Sequence, residues 1–258
     1  MSPEKLEAYC VLGVISVWVT LETILFTLVL LLHILQTPPP SLEGNKLMEQ
    51  KIILDLCGGT GSWSKPYKEA GYDVRVITLP DFDVRKWREY PEIVEPIFSG
   101  KVHGILAAPP CTRFSRACWQ IPRKERNFKE GMECVRACMD IIWTAQEECG
   151  ASLAFWALEN PDGYLTPFLG YPRFSFQPWM YGETDFRATK RTMFWGYFKE
   201  PKKTVRTRTI PKVSPYSRPA GDGGWDKERI NDGWRNASAE ERAATSSFVA
   251  QAFFKANP

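Results

Sequence analysis

The chain has no Cys-x-x-Cys pair and only two histidines, His33 and His103, in 258 residues. Zinc sites are built from such spacings and ligands, so this poverty argues against a metal protein. The sharper alternative is the pair Cys134 and Cys138, one helical turn apart. The seven cysteines are odd in number and irregular in spacing. They make a poor disulfide framework and point to a reducing compartment. No internal repeat is present. Strong charge is lacking too, with a formal net charge of +3. Residues 1–47 hold two lysines and four glutamates, which leaves +5 on the remainder. A mildly basic body permits a polyanionic partner without demanding one. Hydrophobic content of 44% and charged content of 24% exclude an intrinsically disordered chain.

What is present begins with an apolar run, Cys10 to Leu35, whose 26 residues suffice to cross a bilayer as a helix. Glu22 would cost about 3 kcal/mol at its centre, which the surrounding Leu, Ile, Val and Phe outweigh. A cleaved signal peptide fits badly, because the preceding residues are acidic and the run is too long. Two readings stand side by side. Residues 1–47 form a transmembrane anchor and a stiff Pro-rich linker, or they are an extension ahead of Met48, which directly precedes the first strand. Under the first, membrane association runs through residues 10–35. Lys46 and Lys51 then put the main domain in the cytoplasm, that of a host cell if the source is viral.

Residues 48–258 read as the main domain. Its focus is Ala107-Ala108-Pro109-Pro110-Cys111-Thr112-Arg113-Phe114-Ser115. The apolar run Val102 to Ala107 predicts a buried strand, and two prolines force a turn after it. That turn carries Cys111 at the carboxyl edge, where ligands bind in open α/β sheets. Arg113 and Arg116 nearby give the setting that lowers a thiol pKa. The alternative is a buried structural cysteine; the prolines and arginines favour a nucleophile.

Upstream, Lys51 to Leu56 predicts a strand, Cys57-Gly58-Gly59-Thr60-Gly61 a turn, and Ser62 to Ala70 a helix closed by Gly71. Tyr72 to Leu79 predicts a second strand. This is the opening of a nucleotide-type sheet, with glycines that let backbone approach a ligand at a helix start. Asp83 suits a ribose or adenine contact, or a helix cap, ahead of a helix over 85–98. Downstream, Arg113, Phe114, Arg116, Trp119, Arg123, Lys124 and Arg126 interleave cations with aromatics, as phosphate contact and base stacking require; a solvated surface is the plainer alternative. A helix is expected over 129–148, with Cys134 and Cys138 on its buried face. Ser152 to Leu158 reads as a strand ending in Glu159-Asn160-Pro161. A carboxylate there is costly unless used or paired. Thr192 to Phe198 predicts a further strand. Residues 199–218 read as exposed, cationic and irregular, and Ser238 to Lys255 as one closing helix with Phe248, Ala252 and Phe253 on its apolar face.

Together, Asp55-Leu56-Cys57-Gly58-Gly59-Thr60-Gly61, Pro110-Cys111 with Phe114-Ser115, Glu159-Asn160, and Lys190-Arg191 before Trp195-Gly196 resemble the cytosine-5 DNA methyltransferases, most closely their compact phage-type members. The resemblance implies a Rossmann-like α/β methyltransferase sheet with helices on both faces and a short target-recognition segment at about 197–237. It implies S-adenosylmethionine on Asp55, Cys57, Gly58, Gly59, Gly61, Asp83 and Pro109. Cys111, Glu159 and Arg191 would act on a cytosine flipped from double-stranded DNA, with Arg113, Ser115, Arg116 and Lys190 on the nucleic acid, in a monomeric enzyme. Four departures stand out. Cys57 replaces the family's aromatic, Pro161 follows Glu-Asn, Thr189 replaces a second arginine, and Leu79-Pro80 stand where an acid is usual. Two other functions stay open: a catalytically silent nucleic-acid-binding relative, and the same chemistry on RNA or a free cytosine nucleotide.

Overall fold

The strand β1, Ile52–Leu56 (IILDL), is buried at every position. A run buried on both faces belongs to the interior of a parallel sheet. The computed structural model describes residues 50–116, 121–185, 187–208 and 237–258, which belong to one unit, Gln50–Pro258. Beside β1 lie β2 (Asp73–Ile77) and β3 (Val102–Ala107), both parallel to it. β4 (Phe155–Pro161) continues the parallel run beside β3. β6 (Thr192–Tyr197) then pairs antiparallel with β4 and with β5 (Phe174–Phe176). The sheet order is β2-β1-β3-β4-β6-β5. The architecture is thus a mixed six-stranded α/β sheet.

Alternation along the strands sends side chains to two separate cores. On one face Leu54, Leu56, Ile105 and Leu158 pack with α3 (Phe128–Cys149) and α2 (Pro91–Phe98). The buried residues Val135, Cys138, Ile142, Ala145 and Cys149 form the inward stripe of α3. On the other face Ile53, Leu106, Phe155 and Phe194 meet Trp63, Tyr67 of α1 (Lys65–Glu69), and Val249, Ala250 and Phe253 of the terminal helix. The Tyr67 hydroxyl donates to the Asn257 carbonyl at 2.7 Å, which ties the chain end to that face. Helices therefore cover both faces, as expected.

Several expected boundaries shift. The helix expected over 62–70 is only the short α1, because residues 60–64 turn first and Pro66 enters at the helix start. Gly71 does close it, at φ +89°. The stretch 85–98 divides into a 3-10 segment, Val84–Glu89, and α2, since Pro91 starts a new helix. Two short elements unforeseen in the sequence, α4 (Thr166–Leu169) and β5, lie between β4 and β6. The single closing helix is two, α5 (Ala239–Ala243) and α6 (Ser247–Ala256), with Phe248 exposed rather than on the apolar face. Ser238 caps α5 in a capping box with Glu241, which completes a short helix locally.

The strand β4 starts at Phe155 rather than Ser152 and runs through Pro161. Glu159, Asn160 and Pro161 pair with Phe194, Met193 and Thr192 of β6. β3 ends opposite Leu158, so these three residues are paired on one side only. A residue without an N–H is tolerated at such a half-paired end. Among the described residues no helix is long and apolar enough to cross a membrane. The run over 10–35 lies outside the described residues, as do Trp119 and most of the 197–237 segment.

The chain passes from β1 outward to β2, then returns to place β3 on the other side of β1. Loops leaving β1 and β3 consequently diverge, and a crevice opens between them at the strands' carboxyl ends. The packing beneath is tight. A Cβ at Gly104 of β3 would lie 2.2 Å from the Phe155 ring on β4. Gly104→Ala should therefore destabilise the domain by about 1–3 kcal/mol, read as a lower urea midpoint with unchanged slope. An unchanged midpoint would refute this account of the β3–β4 contact.

Candidate functional site

The turn after β1 is shaped by a buried carboxylate. Alternation puts Asp55 on the Ile53 face, wholly buried. The Ser64 hydroxyl donates to Asp55 Oδ2 at 2.5 Å, while Oδ1 has no hydrogen-bond partner among the described residues. A Cβ at Gly58 would meet the Asp55 carboxyl at 2.5–2.6 Å, so only glycine lets the backbone cross it. Cys57 itself adopts φ +56°, and its N–H donates to the Ile77 carbonyl at 2.7 Å. Burial pushes the Asp55 pKa up to about 6, against the lowering effect of the Ser64 bond.

The turn after β3 carries Cys111, half-buried. Asn160 of β4 is wholly buried, and its Nδ2 donates to the Pro109 carbonyl at 3.0 Å. That bond pins the Pro109-Pro110-Cys111 turn to the neighbouring strand. The Cys111 carbonyl in turn accepts from the Phe114 and Ser115 N–H groups at 2.9 and 2.7 Å. Beyond it, Ser115 bridges to Gly163 in the loop after β4.

Two cavities meet at this turn. One of about 540 Å³ reaches from Leu79, Phe82 and Asp83 to Cys111. The other, about 210 Å³, reaches from Asp55, Gly59 and Trp63 to Cys111 and Glu159. Cys57, Pro110, Cys111, Pro161 and Lys190 line both. The segment 239–245 closes over them: Ala239 and Arg242 wall the larger cavity, Glu240 and Thr245 the smaller. Three hydrogen bonds hold this segment. The Thr245 N–H donates to Ser62 Oγ at 3.0 Å, Lys190 Nζ to the Arg242 carbonyl at 3.2 Å, and Ser246 Oγ to Glu183 Oε2 at 2.8 Å.

The candidate residues therefore divide. Asp55, Cys57, Gly58, Gly59, Pro109, Cys111 and Glu159 converge on the smaller cavity. Gly61 stands at φ +68° within the glycine turn. Asp83 lines the larger cavity and also caps the 3-10 segment, accepting from the Arg85 N–H at 3.0 Å. Its ion pair with Arg85 lowers its pKa. Glu159 follows the Phe155 and Ala157 alternation onto the Asp55 face. Burial raises its pKa, opposed by the charge of Lys190.

The cations fall differently from expectation. Arg191 lines neither cavity; it is exposed and points to Asp162 at 3.9 Å. Lys190, expected on nucleic acid, lines both cavities and lies beside Glu159. Arg113 pairs with Glu130 at 2.9 Å and Arg116 stands 4.0 Å from Asp162, so each faces a carboxylate. Ser115 is buried and lines the larger cavity. Arg123 and Lys124 are exposed, but Arg126 is 2% exposed and unavailable to phosphate. The segment 239–245 and Trp63 were missed at the site. Their sequence signals are a helix cap and an apolar residue, neither of which states a location. The neighbouring Cys57 and burial push the Cys138 thiol pKa up, and among the described residues no group of three His, Cys, Asp or Glu side chains is placed to hold a metal.

Asp55 has a direct consequence for stability. Its native pKa of about 6 exceeds the ordinary 3.8, so the folded state retains a proton that the unfolded chain releases. Its contribution is fully present below pH 3.8 and is lost as pH rises to about 6. The loss is on the order of 2–3 kcal/mol. Asp55→Asn should remove that decline, seen as urea midpoints at pH 4, 5, 6 and 7 that flatten relative to the parent chain. Parallel pH profiles would refute it.

No protein-family model matches the chain, and no curated protein matches its sequence.

Proposed function

We propose that the protein transfers a methyl group from S-adenosylmethionine to carbon 5 of cytosine in DNA, through a covalent adduct on Cys111. The observation that carries this reading is the convergence of a strand-edge thiol, a carboxyl group of raised pKa and a glycine-lined turn on one crevice. A structural cysteine would need neither the carboxyl group nor the cleft.

The donor set suits the cofactor. Asp55 Oδ1 is a buried acceptor without a partner among the described residues, and the backbone at Gly58 leaves no room for a side chain. A nucleoside fits the larger cavity, with Asp83 at its edge. Asp55, Cys57, Gly58, Gly59, Gly61, Asp83 and Pro109 would hold the cofactor. When bound, it supplies an electrophilic methyl group.

The chemistry of the chain's own residues follows from their types. The Cys111 sulfur adds to carbon 6 of the flipped base. Glu159, whose pKa burial raises, donates a proton to ring nitrogen 3, so the pair that leaves the ring double bond does not accumulate as uncompensated charge. Carbon 5 becomes nucleophilic and would take the methyl group as the methyl–sulfonium bond breaks, the electron pair staying on the departing thioether sulfur. A base removes the carbon 5 proton, the carbon–sulfur bond breaks with its electron pair returning to the Cys111 sulfur, and the nitrogen 3 proton passes back to Glu159, so thiolate and acid are both restored. Lys190 lines the cleft beside Glu159, and Arg191 lies outside it, 3.9 Å from Asp162. Arg113 and Arg116 closely follow Cys111 and would meet the DNA, whereas the buried Ser115 stays within the cleft wall.

The full chain, incubated with methyl-labelled S-adenosylmethionine and duplex DNA, should yield labelled 5-methylcytosine. Cys111→Ser should abolish it with cofactor binding retained. Glu159→Gln should reduce turnover by about 10²–10⁴-fold. Because Glu159 acts as an acid, turnover should fall as pH rises through its pKa. Label on RNA or a free nucleotide alone would replace DNA as the substrate. Failure to bind the cofactor would overturn the reading.

A further inference from the structure

Arg126 is among the largest fully buried side chains of the domain. A buried guanidinium is costly unless its donors are satisfied. Here Nε donates to the Ile121 carbonyl at 3.1 Å, and Nη1 donates to the carbonyls of Ser115 at 2.7 Å and Arg113 at 3.4 Å. The guanidinium carbon lies 4.8 Å from the centre of the Tyr164 ring. The residue precedes Asn127, which caps α3 by accepting from the Glu130 N–H. Arg126 therefore gathers the chain after Cys111 onto the fixed start of a core helix.

Ser115 is the link. Its carbonyl accepts from Arg126, and its N–H donates to the Cys111 carbonyl at 2.7 Å. The same stretch of chain is also held by the loop after β4: the Tyr164 N–H donates to the Phe114 carbonyl at 2.8 Å, and Ser115 bridges to Gly163. A Cβ at Gly163 would fall 2.2 Å from that carbonyl. We propose that Arg126 is the positioning residue for Cys111, setting through Ser115 where the thiol stands in the cleft. The inference rests on Cys111 being the nucleophile. It gives a cation of the nucleophile loop an inward task, not a contact with phosphate.

The test uses the full chain with Arg126→Lys, Arg126→Met and Gly163→Ala. Three quantities are read: the thermal midpoint, kcat and KM for methyl transfer, and the rate of Cys111 alkylation by iodoacetamide relative to Cys57, resolved by peptide mass spectrometry. Lysine keeps the charge but lacks the planar fork. Positioning predicts that Arg126→Lys leaves the cofactor KM close to the parent value while kcat falls on the order of 10²-fold, as for a small misplacement of a reacting group. The Cys111-to-Cys57 alkylation ratio should change severalfold. Rescue of both quantities by lysine would show that charge suffices and overturn the proposal. So would an alkylation ratio unchanged in every variant. If the Arg126 variants do not fold, Gly163→Ala displaces the loop without touching the charge, and unchanged Cys111 reactivity there overturns the proposal. If the parent chain transfers no methyl group to any cytosine substrate, the functional reading fails by itself, and the alkylation ratios still decide the positioning.

Discussion

A parallel strand run has no face that can be left to water, and this constraint organises the molecule. The strands β2, β1, β3 and β4 are covered on one side by α2 and α3 and on the other by α1 and α6. Polar chemistry is thereby driven to the strand ends. The carboxyl ends of β1, β3 and β4 deliver Asp55 and Cys57, Cys111, and Glu159 to one crevice. β6 runs the other way, so its entry rather than its exit reaches the crevice, and Lys190 lies just before it.

A buried acid, a half-buried acid and a buried base occupy that region, and each is accommodated differently. Asp55 accepts one hydroxyl and keeps a raised pKa. Glu159 stays poised towards its protonated form, with Lys190 opposing the effect of burial. Arg126 satisfies donors on backbone carbonyls and rests over an aromatic ring. The two acids share the cleft. The base lies behind the loop and shapes the protein. Burial alone does not separate these duties; the partners do.

The closing segment binds the region from above. Residues 239–246 are held to the glycine turn by Ser62, to the start of β6 by Lys190, and to the carboxylate of Glu183. Lys190 thus belongs at once to the cleft wall and to the tie that closes it. Its nitrogen reaches a carbonyl at 3.2 Å while its charge acts on Glu159.

By itself the sequence determined the elements whose signals are local. The apolar run Val102–Ala107 is a strand with the expected ends, because prolines after it leave no other choice. The stripe of α3 and the left-handed Gly71 follow equally from spacing and residue type. The pairing of a thiol turn with a Glu-Asn strand end was legible as a motif. Only tertiary structure decided what depends on partners distant in the chain. It extended β4 through Pro161, because β3 stops opposite Leu158 and leaves that end half-paired. It placed Lys190 in the cleft wall and Arg191 outside it beside Asp162, a division that depends on what packs around the entry to β6. It turned Arg126 from surface to core, because three carbonyls of a folded loop converge on it. Periodicity reports which way a residue faces within its own element; it carries no information about which distant group it will meet.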